Sequence, residues 1–195
     1  MKAHNKALVY GRQDAWNASS APQLRATPHP TTSLAMPISL KAMSPDAYSH
    51  FLETAIPSYA KANTTSGRWV ESEAMARSHK VYQSLLPEGL ETPNNHLFNI
   101  IENENKAIVG HLWVKVDENS QAKSAFILSL EIYERYRRKG YAKAALHTVE
   151  QVVAELGATS LGLHVFSYNS AAINLYADAG YQVISQSMQK PITLS

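Results

Sequence analysis

The segment from Glu134 to Leu146 places a basic, glycine-containing turn directly in front of a predicted helix. The apolar run Ala125 to Ile132 precedes it and predicts a buried strand. The helix is predicted from apolar residues that recur at helical spacing, at Leu146, Val149, Val153 and Leu156. Strand, basic turn and helix N-terminus together favour an anion site, because free backbone N–H groups and the helix dipole both face the turn.

The residues of this turn suit a phosphate in particular. Gly140 lets backbone approach an anion without a Cβ in the way, and Ala142 is nearly as small. Positive charge surrounds the turn at Arg137, Arg138, Lys139 and Lys143. A solvated basic turn with no ligand is the alternative interpretation. The chain has no Walker motif, so the site is not a P-loop.

A second stretch, from Leu163 to Tyr181, follows after one helix. With it, the chain resembles the GCN5-related N-acetyltransferase (GNAT) superfamily. The pattern Arg137-x-x-Gly140-x-Ala142 fits that family's R/Q-x-x-G-x-G/A pyrophosphate loop. Asn169, followed by a short helix that carries Tyr176 and closes at Gly180-Tyr181, is similar to the family's next motif. The resemblance is clearest over residues 108–181 and extends over 36–190.

The resemblance implies an α+β fold of the GNAT type, with a mixed central β-sheet and helices on both faces. Two central strands, here Ala125–Tyr133 and Leu161–Phe166, are expected to splay apart and to hold the pantetheine arm of acetyl-CoA. Unpaired backbone groups of such strands can bind an extended chain as another strand would. The cofactor-binding residues implied in this way are Leu130, Ile132, Arg137, Arg138, Lys139, Gly140, Tyr141, Ala142, Lys143 and Asn169. Asn169 has a simpler alternative role as a helix cap.

Tyr176 is the candidate general acid for the leaving thiolate, since a phenol stays protonated at neutral pH. The alternative is a tyrosine packed in the core. For the base, His164 occupies the position where some GNAT enzymes carry a glutamate, and Glu131 on the other splayed strand competes with it. A buried structural histidine, a solvent-facing Glu131 and a water chain are the remaining alternatives.

The other elements follow from local patterns. Residues 1–35 lack periodicity and predict a disordered tail, which leaves 36–195 as the acetyltransferase domain. A helix begins after Ser44, and Pro57 is expected to kink it or stop it early. A second helix is predicted with Met75, Tyr82, Leu85 and Leu86 facing inward. The remaining predicted strands are Ile38–Ala42, His96–Ile101, Ala107–Val116 and, at the end of the chain, Tyr181–Gln189.

Composition narrows the function. The net charge of +2 is small for a general nucleic-acid binder, and the chain has no cysteine for disulfides or thiolate metal sites. Its histidines show no metal-ligand spacing. No apolar run reaches membrane-spanning length, and a cytoplasmic protein is expected. We therefore expect an acetyl-CoA-dependent N-acetyltransferase that acts directly on a primary amine, with a homodimer possible. The alternative is a GNAT-fold module that binds acyl-CoA without catalysis.

Overall fold

The computed structural model describes residues 37–118, 122–188, 190 and 192. The tail predicted over residues 1–35 lies outside them. Within them, the elements are β1 Ile38–Ala42, α1 Pro45–Thr65, α2 Glu71–Leu85, β2 Asn95–Glu102, β3 Ile108–Asp117, β4 Ser124–Ile132, α3 Tyr141–Glu155, β5 Ser160–Leu163 and α4 Ser170–Asp178.

The five strands form one mixed sheet in the order β1-β2-β3-β4-β5. The first three pairings are antiparallel, and β4 pairs with β5 in parallel. A parallel pair needs a crossover connection, and α3 supplies it. The predicted mixed sheet is therefore confirmed.

Helices cover both faces of this sheet, as predicted. On one face α3 and α4 pack on the strands through a core that includes Leu146, Val149 and Tyr176. On the other face the α1–α2 hairpin packs through a second core around Phe51 and Trp113. Two buried layers explain why β4 is apolar on both sides.

The α1–α2 hairpin bears on two predictions. Pro57 was expected to kink α1 or to stop it early, and the helix does not stop there but continues to Thr65. The one hydrogen bond that proline cannot donate costs less than the helix gains from its packed face. Met75 does not face inward but is 44% exposed. The buried side of α2 is Ala74, Ser78 and Tyr82, and the Ser78 hydroxyl donates to the Ile56 carbonyl at 2.7 Å.

The C-terminal part departs from the prediction as well. The strand β5 ends at Leu163 rather than Phe166. Residues 181–188, where a final strand was predicted, form neither helix nor strand. Leu156 ends α3 and is 37% exposed, so it lies at the margin of the predicted apolar face. Among the described residues no helix is long and apolar enough to cross a membrane.

Candidate active site

The strands β4 and β5 separate halfway along β4. They pair only over Ser124–Ile127 and Ser160–Leu163. Beyond that point β4 runs on to Ile132, whereas the chain after Leu163 leaves the sheet. The result is the splayed pair that the resemblance implied, with a gap beside the second half of β4.

A β-bulge sits at the point where the strands separate. On β3, Trp113 pairs with Ser129 and Val114 pairs with Ile127, so Leu128 is an extra residue in β4. Because side chains alternate along a strand, one extra residue exchanges the two faces for everything that follows. After the bulge, Leu130 and Ile132 belong to the α3 face.

Glu131 consequently lies on the α1–α2 face. It pairs with His111 on β3, and residues opposite each other in an antiparallel pair share a face. The His111 ring packs edge-on against Phe51 of α1 at 4.8 Å, and its Nε2 is 3.0 Å from the Ser129 hydroxyl. A polar row, Ser129 and Glu131, thus continues down β4 under the α1–α2 hairpin.

The backbone of Leu130 and Ile132 faces the gap. The Tyr133 N–H donates to the Val109 carbonyl of β3 at 2.9 Å, and backbone groups alternate in direction along a strand. Tyr133 and Glu131 therefore bond toward β3, while Leu130 and Ile132 point the other way. Gly110 permits this close approach, since a Cβ there would collide with the Glu131 carbonyl oxygen.

The turn between β4 and α3 contains two residues with left-handed backbone. Arg138 has φ of 65° and Gly140 has φ of 82°. A Cβ on Gly140 would meet no atom within 4 Å, so glycine is required there by backbone conformation and not by crowding inside the protein. Gly140 also directly precedes α3, whose first N–H groups have no acceptor within the helix. The predicted order of strand, glycine-containing turn and helix N-terminus is therefore present, and anion binding at this turn stays a prediction.

Of the four basic residues, Arg137 behaves differently from the others. Arg138, Lys139 and Lys143 are exposed around the turn. Arg137 turns back toward β4, where its Nε donates to the Ile132 carbonyl at 2.8 Å and its Nη2 is 3.6 Å from Glu131 Oε1. Its predicted part in cofactor binding stays a prediction. In this structure its side chain links the turn to the end of the strand.

The negative charge of the Glu131 carboxylate affects the pKa of two tyrosines. Burial raises the pKa of Tyr82, and the nearby phenol of Tyr59 and the Glu131 charge raise it further. Burial and Glu131 also raise the pKa of Tyr133, against a smaller opposing effect of Arg135. The Glu131 side chain is 13% exposed, so it is not the solvent-facing residue that the sequence allowed.

His164 lies on the same face as Glu131, across the gap. Its ring packs edge-on against Phe166 at 5.2 Å, and Phe166 belongs to the core under α1 and α2. Burial lowers the pKa of His164 to about 4, with a contribution from the positive charge of Arg68. The imidazole is therefore neutral at physiological pH and can accept a hydrogen bond from an amine.

Asn169 and Tyr176 lie at the start and in the second turn of α4. The Asn169 Oδ1 accepts from the Ala172 N–H at 3.3 Å, so the side chain is a helix cap. Tyr176 is 3% exposed and packs in the α3 core, with the ring of Tyr181 at 5.8 Å. Burial raises the pKa of Tyr176. The phenol therefore stays protonated, but it is a weaker acid than in water.

The structure thus groups the candidate residues in two sets. Glu131 and His164 face the α1–α2 hairpin, whereas Tyr176 belongs to the α3 side, and the gap separates them. The charge of Arg68, in the connection between α1 and α2, contributes to the lowered pKa of His164. The sequence did not indicate this residue, because no local pattern links it to residue 164. The sequence could have indicated that Ser129 lies beside Glu131 on one face, since these are the two polar residues in an otherwise apolar run.

A separate groove of about 360 Å³ opens between the two helices of the hairpin. Its lining includes Leu52 and Ile56 of α1, Tyr82 of α2, and Leu86. None of the lining residues belongs to β4, β5 or the basic turn. The groove is therefore distinct from the gap where a coenzyme arm is expected.

Comparison with known proteins agrees with this architecture. The profile of the Acetyltransferase (GNAT) family matches residues 58–181. Two uncharacterised N-acetyltransferases of Bacillus subtilis (strain 168) are similar: YdgE is 36% identical and YycN 38% identical over 157 residues. Each alignment covers 80% of this chain and 99% or 100% of the relative.

Solved structures are similar as well. The crystal structure of YycN superposes with a TM-score of 0.77 at 36% identity, over 80% of this chain and 99% of that one. A protein from Pyrococcus furiosus described as a candidate acetyltransferase, at 24% identity and a TM-score of 0.58 over 80% of this chain and 99% of that one, shares the fold. The splayed strands and the basic turn before α3 both lie within residues 58–181, which the family profile matches. The chain belongs to the acetyltransferase (GNAT) family.

Proposed function

We propose that this protein is an acetyl-CoA-dependent N-acetyltransferase that transfers the acetyl group directly to a primary amine. The observation that supports it most strongly is the gap between β4 and β5, with backbone of Leu130 and Ile132 beside it and the basic turn at its end. An extended pantetheine arm can pair with such backbone, and a pyrophosphate suits the N-terminus of α3. Acetyl-CoA as the acetyl donor agrees with the cytoplasmic location expected from the sequence.

The coenzyme would be held by the residues around the gap. Backbone N–H groups of residues 138–142 would bind the pyrophosphate, with Lys139 and Lys143 adding charge. The Ile132 carbonyl already accepts from Arg137, so Leu130 and the Ile132 N–H are the backbone groups we assign to the pantetheine arm. Asn169 would bind the arm from the β5 side, at the orientation that its cap bond with Ala172 sets.

For the chemistry, we assign the amine side of the reaction to the α1–α2 face. A neutral amine must attack the thioester, and Glu131 and His164 both lie on that face to take the proton, directly or through water. The low pKa of His164 makes it a weak base. Glu131, paired with Arg137, is then the alternative. Tyr176, on the other side of the gap, would protonate the leaving thiolate.

A non-catalytic acyl-CoA-binding module is the second candidate, and the burial of Tyr176 favours it. Release of free thiol from acetyl-CoA, measured against a panel of small primary amines, peptides and lysine-containing proteins, separates the two. Amine-dependent thiol release supports the enzyme. Coenzyme binding by calorimetry without thiol release for any acceptor supports the module, and absence of both contradicts each proposal.

A further inference from the structure

The connection between α1 and α2 holds the backbone of Arg68 through hydrogen bonds to a single carbonyl. The Asn63 carbonyl accepts from the Arg68 N–H at 3.0 Å, from the Trp69 N–H at 3.3 Å and from the Ser66 hydroxyl at 2.9 Å. The Trp69 ring packs edge-on against Tyr59 of α1 at 5.2 Å. Arg68 itself is exposed, so the connection presents an arginine side chain from a well-supported backbone.

This connection lies on the face of the sheet to which we assign the amine. Trp69 packs against the core that contains Phe166, and the His164 ring contacts Phe166 at 5.2 Å. The positive charge of Arg68 extends to His164, where it helps to lower the pKa of the imidazole. The basic turn, in contrast, precedes α3, which packs on the opposite face. Arg68 therefore lies on the acceptor side of the gap and not beside the turn assigned to the pyrophosphate.

A positive charge at this place conflicts with a simple amine as the acceptor. In water a primary amine is mostly an ammonium ion, which the Glu131 carboxylate attracts and the Arg68 guanidinium repels. An acceptor that also carries an anionic group removes this conflict, since the guanidinium then attracts the anion. Arginine suits a carboxylate because its planar fork can donate two parallel hydrogen bonds to the two oxygens.

We propose that Arg68 determines the class of acceptor, and that this class is primary amines that also carry a carboxylate. The inference rests on the proposed function, since it assigns a substrate class to the same site. The carboxylate would bind the guanidinium while the amine lies beside Glu131 and His164. A single guanidinium matches one negative charge, which favours a carboxylate over a phosphate dianion. Arg68 would thus contact the acceptor without touching the reacting atoms.

The first experiment measures thiol release from acetyl-CoA with matched pairs of acceptors. Each pair is an amino acid and its carboxamide, which keeps the amine and the chain but lacks the negative charge. The amino acids are glycine, β-alanine, γ-aminobutyrate and ε-aminocaproate, so that the spacing between amine and carboxylate varies. Rates are expressed per concentration of neutral amine, because the carboxamide changes the pKa of the amine. In the pair with the best spacing, kcat/KM should be about 10- to 100-fold higher for the carboxylate.

Substitution of Arg68 should remove this preference without removing the activity. For Arg68→Gln, KM of the carboxylate acceptor should rise by about the same factor of 10 to 100, whereas kcat and the rate with the carboxamide should change little. Arg77→Gln is the matched control, because Arg77 is an exposed arginine of the same hairpin that pairs with Glu73 at 2.7 Å. It should keep the preference. A wild-type protein that prefers the carboxamides, or an equal loss on both members of each pair in Arg68→Gln, would overturn the inference.

Binding measured without turnover separates this inference from the proposed function. The nuclear magnetic resonance signals of the His164 ring are followed while the same compounds are added in the presence of coenzyme A. The amino acids should shift these signals at concentrations at least ~10-fold lower than their carboxamides do. Arg68→Gln should abolish the difference, and Arg77→Gln should retain it.

The two measurements together assign every result. Preferential binding of carboxylates that depends on Arg68, without thiol release from any acceptor, would support the Arg68 site and contradict the proposed function. Thiol release without a carboxylate preference in either measurement would support the proposed function and overturn the inference. Absence of both thiol release and preferential binding would contradict both.

Discussion

The Nε atom of Arg137 lies 2.8 Å from the carbonyl oxygen of Ile132, so the first residue of the phosphate-loop motif is hydrogen-bonded to the last residue of β4. The same guanidinium is 3.6 Å from Glu131. One side chain therefore ties together the turn that would hold the pyrophosphate, the strand that borders the gap, and a candidate base. Its substitution should affect coenzyme binding by moving the turn.

Arg137→Ala should lower coenzyme affinity about 10- to 100-fold, because a charge-assisted hydrogen bond to a partly buried carbonyl contributes about 1.5–3 kcal/mol. Arg135→Ala is the matched control: it removes the same charge from the same turn, but Arg135 is exposed and stacks on Tyr136 at 4.8 Å. Calorimetry with coenzyme A compares the two. Equal losses in both variants would mean that Arg137 acts only through its charge.

Gly140→Asp should abolish acetyl-CoA binding while the protein stays folded, since a carboxylate would stand at the N-terminus of α3 where a phosphate must bind. Gly140→Asn has the same shape without the charge, and both residues tolerate the left-handed backbone that φ of 82° requires. The difference in affinity between the two variants isolates the charge effect. Unchanged coenzyme affinity in a folded Gly140→Asp protein would contradict the assignment of the turn.

The turn between β4 and α3 shows which structural features local sequence can predict and which it cannot. A glycine before an apolar helical face, in a basic segment after a buried strand, predicted the strand and the helix together. The left-handed backbone at Gly140 was seen only in the structure. The direction of the Arg137 side chain could not be predicted, because it depends on an acceptor at the end of β4 that becomes available only where β5 leaves the sheet.

Tyr176→Phe should reduce turnover about 10²- to 10⁴-fold with little change in coenzyme affinity, because it removes one positioned proton donor and keeps the ring. Tyr181→Phe is the control. Its phenol is also buried, its pKa is also raised, and its ring lies 5.8 Å from that of Tyr176. Steady-state rates and melting temperatures of both variants distinguish a proton donor at position 176 from a residue that only packs in the core. Similar, small losses in the two would identify Tyr176 as a core residue.

His164 should make the protein sensitive to acid. Burial lowers its folded pKa to about 4 from the ordinary 6.5, so between these values the unfolded chain binds a proton that the folded chain does not. Stability therefore falls as pH drops through this window, by about 1–3 kcal/mol for a partly buried group. Urea titrations at pH 7.5 and 4.5 measure how much unfolding free energy is lost on acidification. This loss should be smaller for His164→Gln than for the wild type, whereas the exposed control His79→Gln should lose as much as the wild type. A loss of the same size in His164→Gln would contradict the role given to His164.

The same lowered pKa changes what is expected of the rate. A base with the ordinary pKa would be protonated below about pH 6.5, so the wild-type rate would fall there and its advantage over His164→Ala would shrink. With a pKa of about 4, the imidazole stays neutral throughout the usual assay range. The ratio of wild-type to His164→Ala turnover should therefore be nearly constant from pH 6 to 9. A ratio that shrinks sharply below pH 7 would show that coenzyme or substrate binding restores an ordinary pKa.

Residues whose environment comes from distant segments were the hardest to predict. Met75 fits the helical period of α2, but the hairpin buries the row of Ala74, Ser78 and Tyr82 instead, because α1 lies on that side. The segment after Gly180 has strand composition, yet its residues 181–188 form neither helix nor strand. In both cases the sequence identified apolar residues, whereas contacts with other segments determine whether such residues are buried.

The extra residue at Leu128 makes chain length, not side-chain identity, the variable that decides which chemistry each face of β4 presents. Removing Leu128 would only restore regular alternation, because Ile127 and Ser129 already face consecutive residues of β3. Inserting one residue between Ser129 and Leu130 would instead move every later side chain to the opposite face. Glu131 would then enter the α3 core, and Leu130 and Ile132 would face the hairpin. A route to new acceptor chemistry in this scaffold therefore passes through single-residue insertions, which libraries of substitutions never sample.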